Sequence, residues 1–154
     1  MATSEEDGVT AIFSGTFEHS LDEKGRLTIP VGFRKELLDG VVLRKDREGC
    51  IEVLPQAAWR EYLERLRGIP KTDHRAQRWL TVELASATSS ELDKQGRVLL
   101  SADQKAHATL ETGTVVVTGA LDRLKVWSPE RWITLQTQMR EEELDEYIYK
   151  TYQI

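Results

Sequence analysis

Two arginines stand out for the chemistry their neighbours permit. Arg26 closes the stretch Leu21–Asp22–Glu23–Lys24–Gly25–Arg26, and Arg97 closes Leu92–Asp93–Lys94–Gln95–Gly96–Arg97, 71 residues further on. In both, an apolar residue precedes Asp, two polar residues, Gly and Arg, and an apolar run follows. This is the pattern of a tight polar turn between two strands. Gly25 and Gly96 supply φ > 0, and Asp22 and Asp93 accept hydrogen bonds from turn amides. A guanidinium leaving such a turn has two uses. It can donate two hydrogen bonds to guanine O6 and N7, the commonest specific major-groove contact. Alternatively it closes its own turn by pairing with the carboxylate, a surface ion pair of little energetic weight. The residues alone favour the second use. Lys24, Arg34 and Lys35 stand nearby as candidate phosphate contacts, which add affinity without reading sequence.

Other chemistry is poorly provided for. His19, His74 and His107 lie far apart, with no H-x-x-x-H or C-x-x-C spacing for a metal. There is no G-x-S-x-G elbow, no G-x-x-x-x-G-K phosphate loop and no G-x-G-x-x-G. Cys50, the only cysteine, excludes an intrachain disulfide and suits a reducing cytosol; it reads as a small buried residue. The acidic run Glu141–Glu146 lacks the glycine and spacing of a calcium loop and reads as a solvated helix face or tail. The expectation is a protein that is no enzyme, with no metal, no cofactor and no small-molecule substrate.

Bulk properties describe a folded, water-soluble chain. Of 154 residues, 40% are hydrophobic and 31% charged, and no apolar run approaches a membrane span. The net charge of −5 sits at the ends. Residues 14–140 carry 20 Lys/Arg against 18 Asp/Glu, a slight positive excess. That excess is too small for a generic basic surface, so nucleic-acid binding would need a local cluster repeated by oligomerisation.

The elements that must position the two turns recur in the same order. Thr16–Leu21 alternates apolar and polar as a half-buried strand, and Leu27–Ile29 follows the turn as a second. Pro30 suits the first turn of a helix over Val31–Leu38, which Asp39–Gly40 stops. Val41–Leu43 and Cys50–Leu54 are strands, and Pro55 opens a helix over Gln56–Arg67. There Trp59, Leu63 and Leu66 form an apolar stripe of helical period. A third helix is expected over Lys71–Leu80, with Lys71, Arg75 and Arg78 on a solvated face. The order then restarts. Leu84–Leu92 and Val98–Leu100 flank the second turn, Ser101 caps a helix over Ala102–Leu110, and Val115–Val117 and Leu124–Trp127 are strands. Pro129 opens a last helix in which Trp132 answers Trp59, and which runs past Leu135 and Met139 towards Leu144 and Ile148. Both tryptophans are assigned to packing. Each half is too small to bury its own strands, so the two must pack together.

Gly15–Thr16–Phe17, Leu21–Asp22–Glu23–Lys24–Gly25–Arg26–Leu27–Thr28–Ile29–Pro30 and Phe33–Arg34, with the repeated D-x-x-x-R, resemble the MraZ family, regulators of the bacterial division and cell-wall gene cluster. The resemblance covers about Ile12 to Trp132. It implies an α+β fold of two tandem swapped-hairpin units (AbrB-like, double-split β-α-β) forming a small β-barrel with flanking helices. The family motif falls on Asp22 and Arg26, and on Asp93 and Arg97. After the second motif, Ser101 and Lys105 replace Pro30 and Arg34.

The organisation expected is an acidic flexible arm at 1–11, a first unit at 12–81 and a second at 82–140, with an acidic C-terminal helix or tail at 141–154. The DNA-binding core would cover about 16–63 in the first unit, and the second unit's core about 87–130. The resemblance implies a cytoplasmic, nucleoid-associated repressor of its own division and cell-wall operon. Its partners would be double-stranded DNA carrying G-rich direct repeats and further copies of itself in a ring, with no membrane. DNA-binding residues would be Lys24, Arg26, Arg34, Lys35 and Arg97, with Asp22, Gly25, Asp93 and Gly96 shaping the turns. Two alternatives are a swapped-hairpin antitoxin that represses its own operon and a ring-forming interaction protein that does not bind DNA.

Overall fold

The computed structural model describes residues 12–154, so the acidic arm expected at 1–11 lies outside the described residues. Strands β1 (Thr16–Leu21) and β2 (Arg26–Thr28) lead into the short helix α1 (Val31–Arg34) and a 3₁₀ turn over Lys35–Leu37. Then come β3 (Val41–Lys45), β4 (Ile51–Pro55) and α2 (Gln56–Arg67). After a connecting helix, α3 (His74–Ser86), the second half repeats the order. It comprises β5 (Thr88–Ser90), β6 (Arg97–Leu99), α4 (Ala102–His107), β7 (Gly113–Gly119), β8 (Leu124–Trp127) and α5 (Pro129–Glu141). A final helix, α6 (Leu144–Tyr152), follows.

The strands form one eight-stranded sheet in the order β5-β3-β4-β8-β7-β1-β2-β6. Four of its antiparallel ladders join one half to the other: β1–β7, β2–β6, β3–β5 and β4–β8. Strand β1 meets its own hairpin partner only at Leu21↔Leu27, yet runs along β7 from Thr16↔Thr118 to Leu21↔Gly113. The hairpins are therefore split and interlocked, the swapped-hairpin architecture. The end strands β5 and β6 are linked by a hydrogen bond from the Leu99 amide to Ser90 Oγ, 3.3 Å. The sheet is thus nearly closed into a barrel, which leaves little free edge for stray pairing.

Inward-facing residues of both halves fill the interior: Leu27, Val41, Leu43, Ile51 and Val53 with Val98, Val115, Val117, Leu124 and Val126. Phe33 on α1 is fully buried and meets Phe13 and Phe17 edge-on, each at 5.3 Å between ring centres. In the second half, helix α4 is held by a polar anchor. Gln104 completes a capping box with Ser101 and donates to the Leu43 carbonyl (3.2 Å), the Ser86 carbonyl (3.4 Å) and Thr88 Oγ1 (3.0 Å). That ties α4 to a strand of the other half.

Several element boundaries differ from the sequence reading. Leu84–Ser86 is helical, not strand, and α3 starts at His74, not Lys71. Leu84 and Ala85 are strong helix formers, and Asp73 caps the helix by accepting from the Ala76 amide at 3.0 Å. Only Thr88–Ser90 remains to pair with β3. The helix expected over Val31–Leu38 is one α turn that tightens into 3₁₀ at Lys35–Leu37. The last helix is broken into α5 and α6 at Glu142–Glu143, where Glu143 is left-handed (φ +51°). Acidic residues oppose the dipole at a helix C-terminus and favour it at an N-terminus, so the acidic run ends one helix and starts the next.

The two halves carry different outer layers. Over the first, Arg44 of β3 pairs with Glu52 and with Glu83 of α3 (2.6 Å), while Tyr62 donates to Glu83 at 2.9 Å. Arg123 reaches the other oxygen of Glu52 at 3.1 Å. Over the second lies an apolar layer: Trp127, Val116 and Cys50 under Trp132 and Leu135 of α5. Burial, with the charge of Asp46 next, pushes the Cys50 thiol up, which leaves it inert.

Candidate nucleic-acid interface

The two motif stretches fold into the same turn, bond for bond. The Asp22 amide donates to the Arg26 carbonyl (3.0 Å), and the Gly25 amide donates to the Asp22 carbonyl (3.1 Å). The Asp22 carboxylate accepts from the amides of Lys24 (3.0 Å) and Arg26 (2.8 Å) through Oδ1, and from Arg26 Nε through Oδ2 (2.6 Å). Asp93 repeats this with the amides of Gln95 and Arg97 and with Arg97 Nε, at 2.9, 2.9 and 2.8 Å. Gly25 and Gly96 take φ of +84° and +74°, as a turn of this shape requires. Both carboxyls are held below the ordinary aspartate range, first by the backbone amide of the arginine four residues on. Each aspartate thus stays ionised and grips its arginine by the Nε edge. The ion-pair use and the turn-shaping use of these residues are one geometry.

Tertiary structure brings the turns together. Strands β2 and β6 pair at Arg26↔Leu99, Leu27↔Val98 and Thr28↔Arg97. The ribbon is extended at each end by a bond to the opposite turn's glycine: Ile29 amide to Gly96 carbonyl (2.9 Å) and Leu100 amide to Gly25 carbonyl (2.8 Å). Paired residues share a face, so Leu27 and Val98 point into the core while Arg26, Thr28, Arg97 and Leu99 line the outer face. A two-stranded ribbon of this kind is one of the elements the major groove admits.

The arginines are not equally engaged. Arg26 is bound through Nε alone, and 36% of its side chain is exposed. Arg97 has in addition Nη1 at 3.7 Å from Asp22 of the other turn, with 24% exposed. Lys24 and Lys35 are exposed. Arg34 is part-buried, its Nε donating to the Ile29 carbonyl at 2.9 Å. His19, whose pKa is lowered by burial and then by the charge of Arg34, lies on the neighbouring β1. The pairing of Arg97 with the other half's Asp22 and the outward exposure of Leu99 were not legible in sequence. Glu52, a lone charge in the strand Ile51–Leu54 that the sequence reading did not single out, is buried between Arg44 and Arg123. Among the described residues no three His, Cys, Asp or Glu side chains gather as a metal site would need, and no helix is long and apolar enough to cross a membrane.

Such a body, two interlocked split hairpins presenting a paired arginine ribbon, is a swapped-hairpin protein whose single chain supplies both units. The family model described as "MraZ protein, putative antitoxin-like" matches twice, over residues 12–82 and 84–150. Proteins named "Transcriptional regulator MraZ" match across most of the chain. That of Desulforamulus reducens is 39% identical over 79% of this chain and 84% of its own length. That of Lactobacillus johnsonii is 40% identical over the same shares, and that of Nocardioides sp. is 38% identical over 87% and 94%. The chain belongs to the MraZ family, which is named for regulation of transcription and not for a reaction.

Proposed function

We propose that this protein is a transcriptional regulator that binds double-stranded DNA sequence-specifically through the β2–β6 ribbon, with Arg26 as the principal base-reading residue. The observation that carries the reading is the outward placement of Arg26 and Arg97 on one two-stranded ribbon. Arg26 is held by Asp22 through Nε, which leaves its terminal nitrogens as donors for guanine. Lys24 and Lys35, exposed near the ribbon, would contact phosphates, and Arg97 would read less than Arg26 because Asp22 also engages it.

The relatives' name supports regulation of transcription. The finer reading, a repressor of its own division and cell-wall operon acting in the nucleoid on G-rich direct repeats, rests on the family resemblance. Assembly into a ring follows the same reading. Helices α3, α5 and α6 contribute no fully buried residue. They leave Trp79, Val82, Ile133, Tyr147, Tyr149 and Tyr152 exposed, apolar area suited to association with further copies. Several ribbons held in one assembly multiply individually weak contacts through effective concentration.

Arg26→Ala tests the reading in a mobility-shift assay on DNA from upstream of the protein's own operon. It should weaken binding while circular dichroism and the mass in solution stay those of the parent. Unchanged affinity sinks the role of Arg26. Binding by the parent should also fall steeply with salt, as phosphate neutralisation demands. No binding even at low salt would favour the interaction-protein reading instead.

A further inference from the structure

Arg34 is engaged within the protein itself. Its side chain lies across Gly96 of the opposite half: a Cβ built at Gly96 would stand 2.6 Å from Arg34 Cδ and collide with Nε and Cζ as well. The same Nε donates to the Ile29 carbonyl at 2.9 Å, while the Ile29 amide donates to the Gly96 carbonyl at 2.9 Å. Arg34, Ile29 and Gly96 therefore form a closed circuit in which a side chain of the first half clamps the turn of the second. That turn carries Arg97, whose amide and Nε are both fixed on Asp93. The equivalent residue over the first turn, Lys105, is seated more loosely. Its Nζ stands 3.4 Å from a Cβ built at Gly25, and the closest atom there is the Leu100 carbonyl oxygen.

We propose that Arg34 is a positioning residue that holds the Asp93–Arg97 turn in register with the first, so that Arg26 and Arg97 reach DNA as one rigid pair. The proposal rests on the ribbon being the DNA-reading face. Glycine at position 96 serves it twice, by accepting φ of +74° and by leaving room for the guanidinium.

Two substitutions separate positioning from phosphate contact. Arg34→Gln places an amide nitrogen four bonds from Cα, where Arg34 Nε now stands, and so keeps the donor to Ile29 while deleting the charge. Arg34→Lys keeps the charge but puts a methylene at that place. Hydrogen exchange of the DNA-free protein reads the clamp directly. Arg34→Lys should speed exchange at Ile29, Gly96 and Arg97 while leaving Gly25 and Arg26 at parental rates, and Arg34→Gln should change neither group. On operator DNA, Arg34→Lys should lose about tenfold in affinity, the equivalent of one hydrogen bond. Arg34→Gln should bind within about threefold of the parent, with an unchanged salt slope.

The opposite pattern overturns the proposal: Arg34→Lys silent in both measurements, with Arg34→Gln weakening all DNA alike and lowering the salt slope by about one. Faster exchange at both turns in Arg34→Lys also overturns it, because that marks general loosening. The Arg26→Ala assay is separate. If operator binding survives it, the DNA reading falls, while the exchange measurements still decide whether Arg34 clamps the second turn.

Discussion

Phe33 and Gln104 hold equivalent places in the two halves, each on the helix that follows its motif, and both are fully buried. Phe33 meets the ring of Phe17 edge-on at 5.3 Å, while Gln104 donates to Thr88 Oγ1 at 3.0 Å. Residues 17 and 88 are equivalent too, 71 positions apart like 33 and 104. One pair of positions has thus been filled once with an aromatic contact and once with a hydrogen bond. The barrel accepts either, because each is complete. The rings bury apolar area, and the amide finds acceptors for its N–H groups and a donor for its oxygen in the Ser101 amide. A mixed pair, an amide against a ring, would have neither the edge-on ring contact nor the Thr88 hydrogen bond, and the amide would rest on its Leu43, Ser86 and Ser101 partners alone. The motif turns teach the converse. Their internal bonds are the same in both halves, and what differs is what is laid against them: Arg34 over Gly96, Lys105 over Gly25, and Asp22 within reach of Arg97.

The comparison can be broken most visibly at its buried pair. Phe33→Ala should cost about 3–5 kcal/mol in chemical denaturation, through lost burial and the cavity left behind. Gln104→Ala should cost about 1–3 kcal/mol, through acceptors left unpaired. Equal losses would mean that the aromatic and the polar anchor do not stabilise the two halves by different means. At the ribbon, Arg26→Ala should weaken operator binding by about 1–3 kcal/mol. Arg97→Ala should weaken it less, and a larger loss for Arg97 would reverse the assignment of reader and support.

The capping difference offers a smaller effect. Ser101→Ala removes the capping box of α4 and should lower stability by about 1 kcal/mol. Pro30, before α1, makes no side-chain cap, so Pro30→Ala should cost less, as thermal melts of the two variants would show.

The smallest effect is one of pH. Asp22 and Asp93 are both held below the ordinary aspartate value. Their stabilising contribution is therefore complete above about pH 4 and disappears as the pH falls through the lowered folded-state values. Carboxyl carbon titration should place both midpoints below that of a free aspartate. An ordinary midpoint for only one would show that the two turns are not equivalent in solution.

Much of this molecule was decided along the chain. The paired Asp-x-x-Gly-Arg stretches announce two turns, because only glycine accepts the left-handed backbone cheaply and only a short acceptor reaches the turn amides. Pro30, Ser101, Pro55 and Pro129 mark helix starts, and the alternation in Thr16–Leu21 marks a strand, since capping and pleat are local effects. Local pattern misleads at Leu84–Ser86, where small and apolar residues suit helix and strand alike, and at Glu142–Glu143, where the sequence pattern continues a single helix. What the tertiary structure alone decided is which half each strand and side chain serves. That β1 pairs with β7 and not along β2, that Arg34 clamps a glycine 62 residues away, and that Arg97 leans towards Asp22 all depend on interlocking. Those contacts join residues with no local signal in common. They exist because neither half can bury its strands without the other, and that packing carries the two arginines to one face.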